Sequence, residues 1–252
     1  MSDALDMKAV KAQFDQDGFA ELRGFLSADE VETLLGEFKR FQEQIVPHIP
    51  NEKLYYEDKS NLDTLKQVQK IQEYDAYFAR MLSSERFVNI ARTLLGDHVV
   101  LSNVQWLTKH AKIGTPTPPH QDGYYFMLDP DEAITLWLAL DVVDETNGCV
   151  RYVPGSHLQG RRDHHRTEQL GFSQGIEYSD EDMKTEVALH AQPGDLLAHH
   201  SMTVHRADAN ISDRPRRAIG FTYFALRCKE DVARKEAYQA VLDRDMAEAG
   251  KL

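Results

Sequence analysis

Cysteine is nearly absent from this 252-residue chain: Cys149 and Cys228 are the only two, too few and too isolated for a disulfide framework or a zinc ribbon. No apolar run approaches the roughly twenty residues a membrane span needs, and Met1-Ser2-Asp3-Ala4 does not begin a signal peptide. A reducing cytoplasm is the expected compartment. Positive charge is also in deficit, with 29 Lys and Arg against 41 Asp and Glu, for a net charge of −12. Long-range repulsion then opposes a nucleic-acid groove or an anionic membrane surface as partner. Internal repeats and low-complexity linkers are missing, and nothing indicates an obligate protein partner. What the chain does have is length and apolar content: at 42% hydrophobic it can bury a large core as one domain.

The pattern of elements changes along the chain. Residues 6–16 read as a short helix, Phe19 to Arg23 as a strand, and Ser27-x-x-Glu30 as a capping box opening a helix through about residue 46. The stretch from Ile49 to Leu62 is polar and irregular, and helical spacing returns from Asp63 to Gln72 and from Glu85 to Leu95. Strands then dominate. Candidates are Val99 to Lys109, Gln121 to Met127, Ala133 to Val142, Cys149 to Val153, Glu186 to Leu189, Asp195 to His199 and Arg217 to Leu226. Asn147-Gly148 is a turn signal between two of them. Helices first and strands afterwards predict a mainly β fold with flanking helices: a double-stranded β-helix, or cupin-like jelly roll, over 99–228. A largely helical N-terminal buttress over 1–98 and a closing helix over 229–252 complete it.

Pro118-Pro119-His120-Gln121-Asp122 carries the chemistry. Side chains alternate along a strand, so a His-x-Asp pair sends both groups to one face, and a distant third ligand, His205, closes one triangular face of an octahedron. Two imidazoles and a carboxylate leave three positions open, the ligand set of non-haem Fe(II) oxygenases. A lone His-x-Asp arises by chance in a chain with eleven histidines, so the surroundings supply the specificity. His205 follows Gly194-Asp195, a tight turn, and the apolar start of Leu196 to His200; Arg216 lies eleven residues beyond it. In a jelly roll that spacing suits a ligand near the end of one strand and an inward arginine on the next. Such an arginine is costly unless paired, and its planar fork matches a carboxylate bidentately.

With these residues in place the chain resembles the phytanoyl-CoA dioxygenase family of Fe(II)/2-oxoglutarate-dependent oxygenases. The resemblance runs through His120-Gln121-Asp122, Leu136 to Asp141, Asn147 to Val150, Val153-Pro154-Gly155-Ser156-His157, Gly194-Asp195, and His205 through Asn210 to Arg216. It extends to Asp17-Gly18-Phe19 and Gly24-Phe25-Leu26-Ser27, nearly the whole chain. It implies Fe(II) held by His120, Asp122 and His205, and 2-oxoglutarate as co-substrate with its distal carboxylate on Arg216. It also implies O2 as oxidant, ascorbate as support, and release of succinate and CO2. Related halogenases carry a small residue at the aspartate position so that chloride can bind; Asp122 argues against that reaction. Arg217 competes for the carboxylate, but alternation sends it to the opposite face. Trp137 aligns with a tryptophan lining the co-substrate pocket, a core role being equally open, and Gln121 and Gln67 are weaker contacts. Gln67 stands where relatives place a lysine, beside Lys66 and Lys70, and Ala207 replaces a hydroxyl residue of some relatives.

Substrate clues are thinner. Tyr124 and Phe126 share strand parity with the ligands and face either the cavity mouth or the core. A basic, His-rich loop after His157 offers Arg161, Arg162 and Arg166 as receivers of an anionic substrate, or simply a solvated surface. His199 and His200 read as residues supporting the ligands or the core. The leading function is hydroxylation of a C–H bond in a small, anionic metabolite. The alternatives are a cupin-like metalloenzyme that dispenses with 2-oxoglutarate and a non-catalytic ligand-binding jelly roll.

Overall fold

The computed structural model of the chain describes residues 6–167 and 173–248. Met1 to Leu5, residues 168–172 of the basic loop and the last four residues of the expected closing helix lie outside the described residues. Two antiparallel sheets make a jelly roll. The larger has seven strands in the order Phe19–Leu22, Leu196–His200, Ala133–Ala139, Arg216–Ala225, Val99–Lys109, Leu65–Val68 and Leu54–Tyr56. The smaller runs Val187–Leu189, Val150–Tyr152, His205–Ala207, Thr117–His120.

The central strands of the large sheet are apolar almost without interruption because both of their faces are buried. Leu136, Leu138, Ile219, Phe221 and Tyr223 point to one face and form a core with Phe14, Leu34, Phe38, Phe78 and Phe87 from the helices. Trp137, Ala139 and Ala218, one residue out of phase, point to the other and pack with Val150, Tyr152 and Leu189 of the small sheet. Period-two alternation thus separates a helix-facing layer from the interior between the sheets. Aromatic contacts tie the helical layer down: Phe38 lies 4.3 Å from Trp106 and Phe87 4.4 Å from Phe221, centroid to centroid.

Local signals place the helices. Ser27 and Glu30 form the expected capping box at the start of Ala28–Gln44, satisfying two backbone donors that the first turn would otherwise leave free. Met7–Asp17 and Glu85–Leu95 both end on a left-handed glycine. The C-terminal part holds a helix over Val232–Glu248. No helix among the described residues is long and apolar enough to cross a membrane.

Three sequence expectations are corrected. Asp63 to Gln72 is not helical: Leu65–Val68 is a strand between two single 3-10 turns, because it pairs with Val99–Lys109, Gln67 opposite Leu107. Its hairpin partner Leu54–Tyr56 falls in the stretch read as irregular, so the first 98 residues contribute three of the seven strands. Gln121 to Met127 is not a strand either. The strand stops at His120, and Gly123–Phe126 is a short helical turn, entered through Asp122 at φ −56 and ψ −34 and left through Met127 in the left-handed region.

Candidate active site

Register brings the two imidazoles together. Thr117–His120 and His205–Ala207 are neighbours in the small sheet with His120 directly opposite His205, and their ring centroids lie 4.2 Å apart. Asp122 reaches the same point by another route than alternation: the chain leaves the strand after His120 and coils into the helical turn, which swings the carboxylate back. Its Oδ1 is 3.5 Å from His120 Nε2 and 3.8 Å from His205 Nε2. One donor atom from each of the three residues falls within 4.8 Å of the others.

The hydrogen bonds around this trio prepare it for a cation. Nδ1 of His120 meets the Pro118 carbonyl at 2.8 Å and Nδ1 of His205 the Thr203 carbonyl at 2.9 Å. A carbonyl only accepts, so both Nδ1 atoms carry the proton and both Nε2 lone pairs face the centre. Burial, together with the nearby His120 and His199, holds His205 well below the usual histidine range and so neutral. Burial works against charge on Asp122, yet the surrounding histidines outweigh it and keep the carboxyl well below its usual range. The two oxygens of Asp122 divide the work. Oδ1 faces the imidazoles, while Oδ2 accepts from Thr135 Oγ1 at 2.8 Å and from His199 Nε2 at 3.2 Å. Tyr152 completes the relay, its hydroxyl donating to His199 Nδ1 at 2.9 Å. Two neutral nitrogens, one carboxylate and no thiolate make a donor set suited to iron with positions to spare.

Arg216 lines the same cavity, buried, with its guanidinium 5.4 Å from the Trp137 ring centroid. Its Nε has no hydrogen-bond partner, and burial pushes its pKa down to about 10. Arg217 points the other way and is held by Asp141 at 2.7 Å. Trp137 and Gln67 line the cavity, Gln67 donating to Gln105 Oε1 at 3.3 Å.

Other expected residues stand elsewhere. Gln121 is fully buried and turned from the cavity; its amide donates to the Gly160 and Met202 carbonyls and accepts from Arg162 N, riveting the metal strand to the loop. Tyr124 stacks on His164 at 4.2 Å and Phe126 packs on Phe224 at 5.2 Å; strand parity fails for both because no strand continues past His120. Arg161 is paired with Asp131 beside a separate depression, and Arg162 with Asp182 at 2.7 Å. Partnered in this way, neither lines the cavity of the triad. Arg166 is exposed.

Sequence reasoning missed Thr135, Lys109, Glu57 and Thr115 and named Lys66 only as a neighbour of Gln67; all five are on the cavity wall. Lys66 Nζ lies 2.9 Å from Thr115 Oγ1 and 3.5 Å from Glu57 Oε2. The unrecognised strand Leu65–Val68 hid Lys66. The alternation of Val99–Lys109, with Gln105, Leu107 and Lys109 on the cavity face, was the signal available for Lys109.

Comparison with known proteins agrees with this geometry. A family model described as phytanoyl-CoA dioxygenase (PhyH) matches residues 14–218. A probable alpha-ketoglutarate-dependent hypophosphite dioxygenase of Stutzerimonas stutzeri is 29% identical over 82% of this chain and 75% of its own length. Phytanoyl-CoA dioxygenase of Arabidopsis thaliana is 29% identical over 59% of the chain, and the match spans about half, 52%, of that protein. Among solved structures, the epimerase SnoN in complex with Fe3+, alpha-ketoglutarate and nogalamycin RO is 26% identical with a TM-score of 0.73, covering 90% of this chain and 87% of its own.

Proposed function

The chain belongs to the phytanoyl-CoA dioxygenase family, and on that premise we propose that it hydroxylates a C–H bond of a small anionic metabolite. An iron- and 2-oxoglutarate-dependent dioxygenase inserts one atom of O2 into the substrate; the other goes into succinate as 2-oxoglutarate loses CO2. The bound iron supplies the activation of O2. This chain's residues supply the rest. His120, Asp122 and His205 would hold the metal, the Thr135 and His199 hydrogen bonds would orient the Asp122 carboxylate, and Arg216 would take the distal carboxylate of 2-oxoglutarate.

The observation that carries this reading is the unpartnered, buried Arg216 in the cavity of the triad. Charge supports an anionic substrate. Lys66, Lys109 and Arg216 line the cavity against Glu57 and Asp122, while Arg206 is neutralised by Glu186 and Asp208 at 2.6 Å each. A divalent iron and a dianionic co-substrate cancel, leaving one positive charge for the substrate to answer. In a site shielded from water such an excess favours an anion strongly.

The likeness to a hypophosphite dioxygenase over 82% of the chain favours one other reading, oxidation of a small phosphorus oxyanion. One experiment covers both. Carboxylates, phosphonates and hypophosphite are screened for substrate-stimulated succinate release under Fe(II), ascorbate and O2. The expected result is a coupled anion with wild type and Arg217→Ala, and loss of coupling with Arg216→Ala. Turnover of the same substrate without 2-oxoglutarate, or unchanged by Arg216→Ala, would show a metalloenzyme of another kind.

A further inference from the structure

Arg216 does not stand alone at the end of the cavity. In the antiparallel pairing of Arg216–Ala225 with Val99–Lys109, Arg216 sits directly opposite Lys109, and both side chains are buried, 5% and 4% exposed. Directly opposed like charges destabilise a sheet, and burial magnifies the cost. No carboxylate lies within ion-pairing distance of either group among the described residues. Lys109 Nζ spends one donor on the Thr115 carbonyl at 2.5 Å, out of the three an ammonium carries.

The surroundings keep the Lys109 side chain in place. A Cβ at Gly148, φ +83, would come within 2.8 Å of Lys109 Cδ and 3.2 Å of Cε, so the glycine leaves the room through which the lysine stem passes. Asn210 Nδ2 holds the Lys109 carbonyl at 3.0 Å. The other basic candidates are already engaged: Lys66 has Glu57, and position 67 is a neutral glutamine bonded to Gln105.

We propose that Lys109 is the second cationic arm of the co-substrate socket, bracketing with Arg216 the distal carboxylate of 2-oxoglutarate. The inference rests on the assignment of that carboxylate to Arg216 made above. Without the dicarboxylate the pair is frustrated, and burial with the charges of Arg216 and Lys66 holds Lys109 well below the ordinary lysine range. The arriving carboxylate gives both groups a shared counterion, so the repulsion that costs stability in the free protein becomes affinity and selectivity for a dicarboxylate.

The test is anaerobic calorimetry on protein loaded with Co(II), titrated with 2-oxoglutarate and with 2-oxobutanoate, which has the chelating end but no distal carboxylate. Lys109→Met is expected to weaken 2-oxoglutarate about 10- to 100-fold, the range of a lost charge-assisted hydrogen bond, and to leave 2-oxobutanoate unchanged. Thermal melts of the ligand-free variant should rise or stay level, and the upward shift caused by 2-oxoglutarate should shrink. Lys109→Gln, which keeps a donor for Thr115 without the charge, should behave likewise and serves if the methionine variant does not fold. Unchanged 2-oxoglutarate affinity in the Lys109 variants, or equal loss for the two ligands, overturns the proposal and returns Lys109 to a role in holding Thr115. If Arg216→Met is also silent, the underlying assignment of the carboxylate falls. If only Lys109 is silent, that assignment stands.

Discussion

Replacing Thr135 by valine removes one hydrogen bond from the metal carboxylate and almost nothing else. Thr135 is 2% exposed on the cavity face of Ala133–Ala139, and valine has the same shape, so neither a cavity nor a clash is created. What disappears is the 2.8 Å bond from Oγ1 to Asp122 Oδ2. A hydrogen bond to a charged group contributes about 1.5–3 kcal/mol net, but Oδ2 keeps His199 at 3.2 Å, which places the loss at the low end. Since a factor of ten is about 1.4 kcal/mol, Thr135→Val should weaken Fe(II) binding about tenfold, within the 10–100-fold typical of residues that orient metal ligands. Adding His199→Leu strips Oδ2 of both donors and should cost more than the two single changes together, because the second loss leaves a buried charge without support. Anaerobic competition against a chromophoric chelator gives the affinities, with melting curves confirming that each variant folds. Single variants within threefold of wild type and a strictly additive double variant would refute the division of labour between the two Asp122 oxygens.

Two further predictions concern stability. Gly194 turns at φ +91, and a Cβ there would lie 2.4 Å from the Leu26 carbonyl oxygen, in a segment fixed against the turn by the 2.9 Å hydrogen bond that Leu26 N donates to the Gly194 carbonyl. Gly194→Ala should therefore destabilise by about 2–4 kcal/mol in urea unfolding, and a change under about 0.5 kcal/mol would remove the clash argument. His200 is held down to about 4 chiefly by burial, and its Nδ1 accepts from Met202 N at 3.1 Å, which requires the neutral ring. Its folded-state pKa lies below the unfolded value of about 6.5, so the unfolded chain binds more protons as pH falls between them. Stability should then decline from about pH 6.5 to pH 4, by at most about 1.4 kcal/mol per pH unit from this residue. His200→Asn should flatten that decline, and an identical pH profile in the variant would contradict it.

Much of the architecture was legible because its signals are local. The Ser27–Glu30 capping box and the short continuous apolar runs of Ala133–Ala139 and Arg216–Ala225 each involve residues within a few positions of one another. The failures share a cause. Leu65–Val68 has too few residues to declare a period, and its state is settled by pairing with Val99–Lys109. Asp122 was placed beside His120 by an argument from strand alternation, whereas the structure brings it there through a helical turn. Arg161 and Arg162 looked available only because Asp131 and Asp182, their partners, lie some distance along the chain.

The amino-acid order by itself determined which donor types exist, two imidazoles, a carboxylate and a guanidinium, and the strand alternation that turns Arg216 and Arg217 to opposite faces. Only the tertiary structure decided that His120 faces His205 and that Arg216 faces Lys109. Cross-strand register is set by how remote strands bury both of their faces at once, and a slip of one residue would reverse every side chain. No stretch of neighbouring residues contains that information, because the energy that selects the register arises between segments distant in the chain.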